Sequence, residues 1–374
     1  MYTVVSFLQR FIPSRYRSRR FLLDRYHFDL TSFDGDVSTW LDRFPVTTDN
    51  VEMYFGLAEL FRRRGEFDKA VSVHEAILNA RLDGYSVSEI SLEIAQDYYA
   101  AGVLSHAEEV LLQALDHADD EISNRAFRLW LSILESEQEW ARAVELVEDY
   151  GIPGSGGLRL ANLYCEMIEE QRRQTPLSRL LKTLKKPQRL GVSARAEIIA
   201  AELYTELNRV GDAIQSYREI LIREPRRVDL VLSPLKHLSL MNQSVPQLLT
   251  FLQQLYQRHP SARILEVYLE LSSVQATALA DDINAALLEE VQQGDSYSVQ
   301  LYWLNQQSSD VQQAVAPLLR GWEKRSLEHS DDYLCIECGF YSDKLVWQCP
   351  QCESWETLFS RYELKIEQKI KKAS

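Results

Sequence analysis

A chain of 374 residues that is 45% hydrophobic and 26% charged has room for several compact bodies or one extended array, and this composition excludes a disordered, collagen-like or membrane-dominated protein. The formal net charge of −14 excludes a general polyanion binder, because neutralising phosphates requires a basic surface and no nucleic-acid partner is expected. Five cysteines, four of them clustered near the C-terminus, fit a reducing compartment and a metal site better than a disulfide framework.

Residues 1–49 read as a basic helical segment. Residues 1–30 carry Arg10, Arg15, Arg17, Arg19, Arg20 and Arg25 against Asp24 and Asp29, a net of +4 that leaves −18 on the rest. Val4, Val5, Leu8 and Phe11 share one helical face, which suits either peripheral contact with an anionic membrane or a cap on the helices that follow. No run of eighteen apolar residues occurs, so no transmembrane helix is evident, and no small-residue cleavage site follows Ile12. Phe28, Phe33, Trp40, Leu41 and Phe44 form the apolar set of a degraded first repeat.

Residues 50–325 carry a repeat. In Tyr54, Leu57, Ala58, Phe61, Gly65, Phe67, Ala70, His74 and Ile77, apolar or small residues fall at helical spacing on both sides of a glycine, predicting helix, tight turn and helix. The pattern returns around Gly102 and Ala107, around Leu131 and Ala143, and around Ala201 and Ala213, with Pro225 and Pro260 marking later units. Ala58, Ala95 and Ala201 in first helices, and Ala70, Ala107, Ala143 and Ala213 in second helices, let antiparallel helices approach closely. Phe61, Tyr98, Tyr204 and Tyr217 then fill the space between pairs. This resembles the tetratricopeptide repeat, with about five units to residue 260 and weaker helical periodicity from Ser261 to Arg325. The Gly151–Gly157 run lacks the Lys-Ser/Thr and preceding strand of a phosphate loop and reads as an inter-helix turn.

Residues 330–362 hold the sharpest chemical signal, and residues 363–374 form a basic tail. Cys335-Ile-Glu-Cys338 and Cys349-Pro-Gln-Cys352 are two Cys-x-x-Cys knuckles ten residues apart. Two such knuckles wrap one cation in a closed tetrahedral sulfur site, with Gly339 suiting one sharp turn and Pro350 stiffening the other. Four protein ligands leave no position for a hydrolytic water, which favours a structural ion, iron or zinc. A redox pair is the competing reading. Trp347, Trp355, Phe340, Tyr341 and Phe359 are expected to pack around the site and against the last helices.

No catalytic constellation is found. The histidines form no His-Glu-x-x-His pair, His74 reads as a packing histidine, no Gly-x-Ser-x-Gly elbow is present, and Cys165 sits in an apolar helical pattern as a core thiol. The chain is read as a non-enzyme.

Together, Leu60-Phe-Arg-Arg-Arg-Gly-Glu-Phe-Asp-Lys-Ala70 with His74, Asp97-Tyr-Tyr-Ala-Ala-Gly102, Tyr164-Cys-Glu166 and the Cys335–Cys352 segment resemble the lipopolysaccharide assembly protein B (LapB) family. The resemblance implies an all-α, right-handed tetratricopeptide-repeat superhelix with a small C-terminal rubredoxin-like or zinc-ribbon-like module. It further implies one ion, usually iron, on Cys335, Cys338, Cys349 and Cys352. It implies an adaptor that presents an LpxC-type deacetylase to an FtsH-type membrane protease, at the cytoplasmic face of the inner membrane. The family's N-terminal anchor has no counterpart in Met1–Ile12. A generic repeat scaffold and an iron-based redox protein are the alternatives.

Overall fold

The computed structural model describes residues 37–115, 119–151, 156–190, 193–276, 278–293, 296–312 and 332–364. The expected membrane contact at Val4–Phe11, most of the Gly151–Gly157 run and residues 365–374 of the basic tail lie outside them. Two compact units divide between Leu146 and Val147.

The first unit is a series of helices: α1 (Val37–Arg43), α2 (Val51–Arg64), α3 (Phe67–Ala80), α4 (Val87–Ala100), α5 (Leu104–Leu115), α6 (Asp120–Ser136) and the start of α7 (Trp140–Tyr150). Helices α2 and α3, and α4 and α5, form antiparallel hairpins. Ala58, Ala70, Ala95 and Ala107 are fully buried where the helices approach, and Phe61 fills the space beyond them, fully enclosed. Replacing Phe61 by alanine would cost about 3–5 kcal/mol. Trp40 stacks on Phe44 and Tyr54 at 5.7 and 5.2 Å, so the degraded first repeat still packs onto α2.

The hairpin turn has one chemical form. After α2, the Gly65 amide donates to the Arg62 carbonyl and the Glu66 amide to that of Phe61. The same pair of bonds, a Schellman closure, follows α4 at Gly102 and α6 at Gln138. All three residues are left-handed, with φ of 78°, 75° and 59°.

A buried polar cluster joins α2, α3, α4 and α6. Arg62 donates to Asp97 (2.5 Å), Gln96 (3.0 Å) and Glu93 (2.9 Å); His74 Nδ1 meets Asp97 at 2.5 Å; Arg125 reaches Glu93 from the far side at 2.8 Å. Burial alone would raise the Glu93 pKa, but Arg62, His74 and Arg125 outweigh it and hold the carboxyl down at about 2. His74 is thus the satisfied packing histidine expected from the sequence.

The second unit continues with α8 (Gly156–Gln171), α9 (Leu177–Leu190), α10 (Ala194–Glu206), α11 (Val210–Arg223), a 3₁₀ turn (Pro225–Arg227), α12 (Val228–Met241), α13 (Val245–Arg258), α14 (Ala262–Gln275), α15 (Asp281–Gln293) and α16 (Tyr297–Asn305). The Schellman turn recurs after α10 at Asn208 and after α12 at Gln243, with φ of 57° and 53°. Neighbouring first helices are laced by pairs 34 residues apart, Arg172 to Glu206 and Lys236 to Glu270, matching Arg62 to Gln96 in the first unit. Cys165 is fully buried against Leu180, Leu184 and Ala200, and burial pushes its thiol up to about 12.

Candidate metal centre and its seat on the helical repeats

The four-cysteine segment folds as a small ribbon: β1 (Tyr333–Cys335), β2 (Tyr341–Ser342) and β3 (Leu358–Ser360) pair antiparallel in the order β2-β1-β3. Strands this short bury little, and their core is Cys335, Cys349 and Leu358 with Tyr333, Phe340 and Leu345 around them. Each knuckle closes by the same bond. The amide four residues after the first cysteine donates to that cysteine's carbonyl, Gly339 to Cys335 at 3.0 Å and Glu353 to Cys349 at 2.8 Å. Both closing residues are left-handed, φ 77° for Gly339 and 57° for Glu353, a conformation that Gly339 adopts freely and Glu353 only under strain.

This folding brings all four predicted ligands together. Their Sγ atoms lie within 4.8 Å of one another, with Cys335 to Cys352 at 3.7 Å and Cys338 to Cys349 at 3.6 Å. A tetrahedron with metal–sulfur bonds of ~2.3 Å has edges of about 3.8 Å, so the spacing fits one ion and not a disulfide. Burial opposes a thiolate at Cys335, but the Thr357 hydroxyl and the backbone amides of Cys338 and Glu337 outweigh it and hold the thiol down at about 6. Burial keeps the Cys349 thiol above its usual range. Four thiolates this close repel one another, and a cation removes that cost.

The ribbon is seated on the repeats through buried charge. Ser193, Arg227 and Ser261 precede α10, α12 and α14, are separated by 34 residues in each step, and occupy the same place in three successive units. Each meets the ribbon or the turn after it. The Glu356 carboxylate accepts from Ser193 Oγ at 2.5 Å, from the Ala194 amide at 2.9 Å and from Asn162 Nδ2 at 2.9 Å, at the positive end of α10. Arg227, 2% exposed, donates to the carbonyls of Leu358 (2.8 Å) and Glu356 (2.7 Å). Its guanidinium lies 4.0 Å from the Phe359 ring centroid. Glu363, fully buried, accepts from Ser261 Oγ at 2.8 Å and lies 2.9 Å from His259 Nε2.

The aromatic residues divide accordingly. Phe340 packs on the sulfur core and Trp355 is buried, whereas Trp347 lies between Arg195 and Arg227 at 5.5 Å from each, and Phe359 between Arg226 and Arg227. Tyr341 is half exposed. Their seat is the start of α10 and α12, earlier in the chain than the last helices. The seat escaped the sequence reading because its partners are far apart in the chain. The 34-residue recurrence of Ser193, Arg227 and Ser261 was the available signal.

Repeated helical hairpins and a ribbon with four convergent cysteines define a tetratricopeptide-type repeat protein bearing a rubredoxin-like module. Residues 333–359 match the family described as the rubredoxin metal binding domain. The chain is similar to lipopolysaccharide assembly protein B of Escherichia coli (strain K12), 24% identical over 334 residues that cover 87% of this chain and 85% of that protein. The protein of that name from Haemophilus influenzae is 25% identical over 315 residues, covering 81% and 77%. The resemblance read from the sequence is borne out. Among solved structures, a tetratricopeptide repeat protein from Parabacteroides merdae shares 12% identity over 75% of this chain and 99% of its own, with a TM-score of 0.35. The MamA protein shares 17% over 49% and 96%, with a TM-score of 0.34. No described helix is long and apolar enough to cross a membrane.

Proposed function

We propose that the chain is a non-enzymatic adaptor in lipopolysaccharide assembly, in which the helical repeats hold a client protein and the ribbon is a structural metal module. The client is an LpxC-type deacetylase, the recipient an FtsH-type protease, and the place of action the cytoplasmic face of the inner membrane. Cys335, Cys338, Cys349 and Cys352 hold one ion, iron by preference and zinc as the substitute. The ion supplies folding energy to a ribbon too small to stand on its own core, and it has no open position for substrate.

The observation that carries this reading is the seat of the ribbon on three successive repeats, which joins the module to the helices of the second compact unit. Similarity to proteins named for lipopolysaccharide assembly, over 87% and 81% of the chain, supports the pathway. Deleting the gene should raise the abundance of the deacetylase by slowing its turnover, measured after translation is blocked. Unchanged turnover would remove the adaptor reading. Cys335→Ser and Cys338→Ser should each abolish complementation, and an active pair of variants would remove the need for the metal. Purified protein that is coloured and bleached by reductant holds iron; a colourless, fully active zinc form would overturn the preference for iron.

A further inference from the structure

From Gln171 to Ala196 the chain has eight lysines and arginines and no acidic residue, against a net charge of −14 overall. Three of the eight are paired with carboxylates. Arg172 pairs with Glu169, Glu202 and Glu206, Lys186 with Glu148 at 2.8 Å, and Arg195 with Glu166 at 2.7 Å. Arg173, Arg179, Lys182, Lys185 and Arg189 are exposed, and among the described residues none has an acidic partner. Elsewhere in the helical repeats Arg62, Arg125, Arg142 and Lys236 each find a carboxylate.

Four of the five free cations sit on α9. At 100° per residue, Arg179, Lys182, Lys185 and Arg189 fall on an arc about 120° wide and about 15 Å long. The opposite side is consumed by the core, with Leu180 and Leu184 buried against Cys165, Ile199 and Leu203. The helix therefore has no apolar side left to insert anywhere, and its outward face offers cations beside the hydroxyls of Ser178 and Thr183.

We propose that this face of α9 docks onto the headgroups of an anionic phospholipid bilayer, held by charge at the surface without insertion. A specific protein interface draws its energy from buried aromatic and apolar anchors, and this face has none. A straight stripe of long, mobile cations suits a dense and fluid array of phosphates. The acidic residues of the described helices are repelled by the same surface, so this basic face also favours one orientation of approach.

The test uses the full chain, co-sedimented with phosphatidylcholine vesicles with and without phosphatidylglycerol. The wild-type protein should bind only the anionic vesicles, with affinity falling as salt rises. Each basic residue near such a surface contributes about a fivefold factor, so K182Q/K185Q should weaken binding about 30-fold. Both side chains are exposed, so thermal melting should be unchanged, and R63Q/R81Q, which alters exposed arginines of the first unit, should bind as wild type. Equal binding to both vesicles, or undiminished binding by K182Q/K185Q, would overturn the proposal. So would in-cell cross-linking of Lys182 to an acidic protein when vesicle binding is absent.

Discussion

Both units bury charged and polar groups at the seams between repeats, but they draw the partners from different places. In the first unit Arg62, His74, Glu93, Asp97 and Arg125 all belong to the helical repeats, 23 to 35 residues apart along the closest contacts. In the second, the acids and carbonyls that satisfy Ser193, Arg227 and Ser261 come from the ribbon and the turn after it, 163, 131 and 102 residues away. The first cluster is complete once neighbouring hairpins stack. The second is complete only when the ribbon is folded, and under the proposed function a ribbon with so small a core would fold on its ion. On that proposal, stability is local in one unit and conditional on metal in the other.

Removing the metal should break this comparison most visibly. Chelation, or Cys349→Ser, withdraws on the order of 10 kcal/mol from the ribbon. Hydrogen exchange should then accelerate at the first turns of α10, α12 and α14 and stay unchanged in α2 to α6; equal loss in both would show the two clusters to be alike. Next in size, Arg227→Ala leaves two buried carbonyls and the Phe359 face without their cation. It should cost about 3–5 kcal/mol in denaturant unfolding with the cysteines still metal-loaded.

The first unit has its own lever, in pH. A carboxyl held at about 2 against an unfolded value near 4.5 adds stability that is full above the unfolded value and is lost as pH falls from about 4.5 toward 2. Glu93 should therefore contribute about 3 kcal/mol at neutral pH. Acid unfolding of α2 to α6, followed by hydrogen exchange, should move to higher pH in Glu93→Gln with a shallower slope. An unchanged acid profile would show that Arg62 and Arg125 find other acceptors.

What the sequence disclosed follows the same division. Hairpins of the first unit were legible because their turns carry Gly65 and Gly102 and their contacts are small residues at fixed spacing. The turns at Gln138, Asn208 and Gln243 keep the same Schellman bonds without a glycine, so their hairpins are read from the spacing of apolar and small residues alone. The four ligands were legible because a knuckle is a local chemical pattern. The seat of the ribbon was not, because a serine before a helix reads as an ordinary N-cap, and nothing near Arg227 in the chain announces that its acceptors lie beyond residue 350. Glu356 reads as one more surface acid among 55, and only the fold buries it.

The smallest expected effect concerns the two knuckles themselves. Gly339 and Glu353 close equivalent turns in the same left-handed conformation, yet a side chain in that region costs about 1–2 kcal/mol, while glycine adds back unfolded-state entropy of about 0.5–1 kcal/mol. Glu353→Gly should accordingly stabilise the ribbon by about 1 kcal/mol or less. Glu353 is exposed, so little packing is lost with its side chain. The gain should appear as slower metal release to a chelator and as added protection at the starts of α10 and α12, with α2 to α6 unmoved. A variant that released its metal faster would mean that the glutamate side chain itself supports the second knuckle, and that the two turns, alike in backbone, are held by different means.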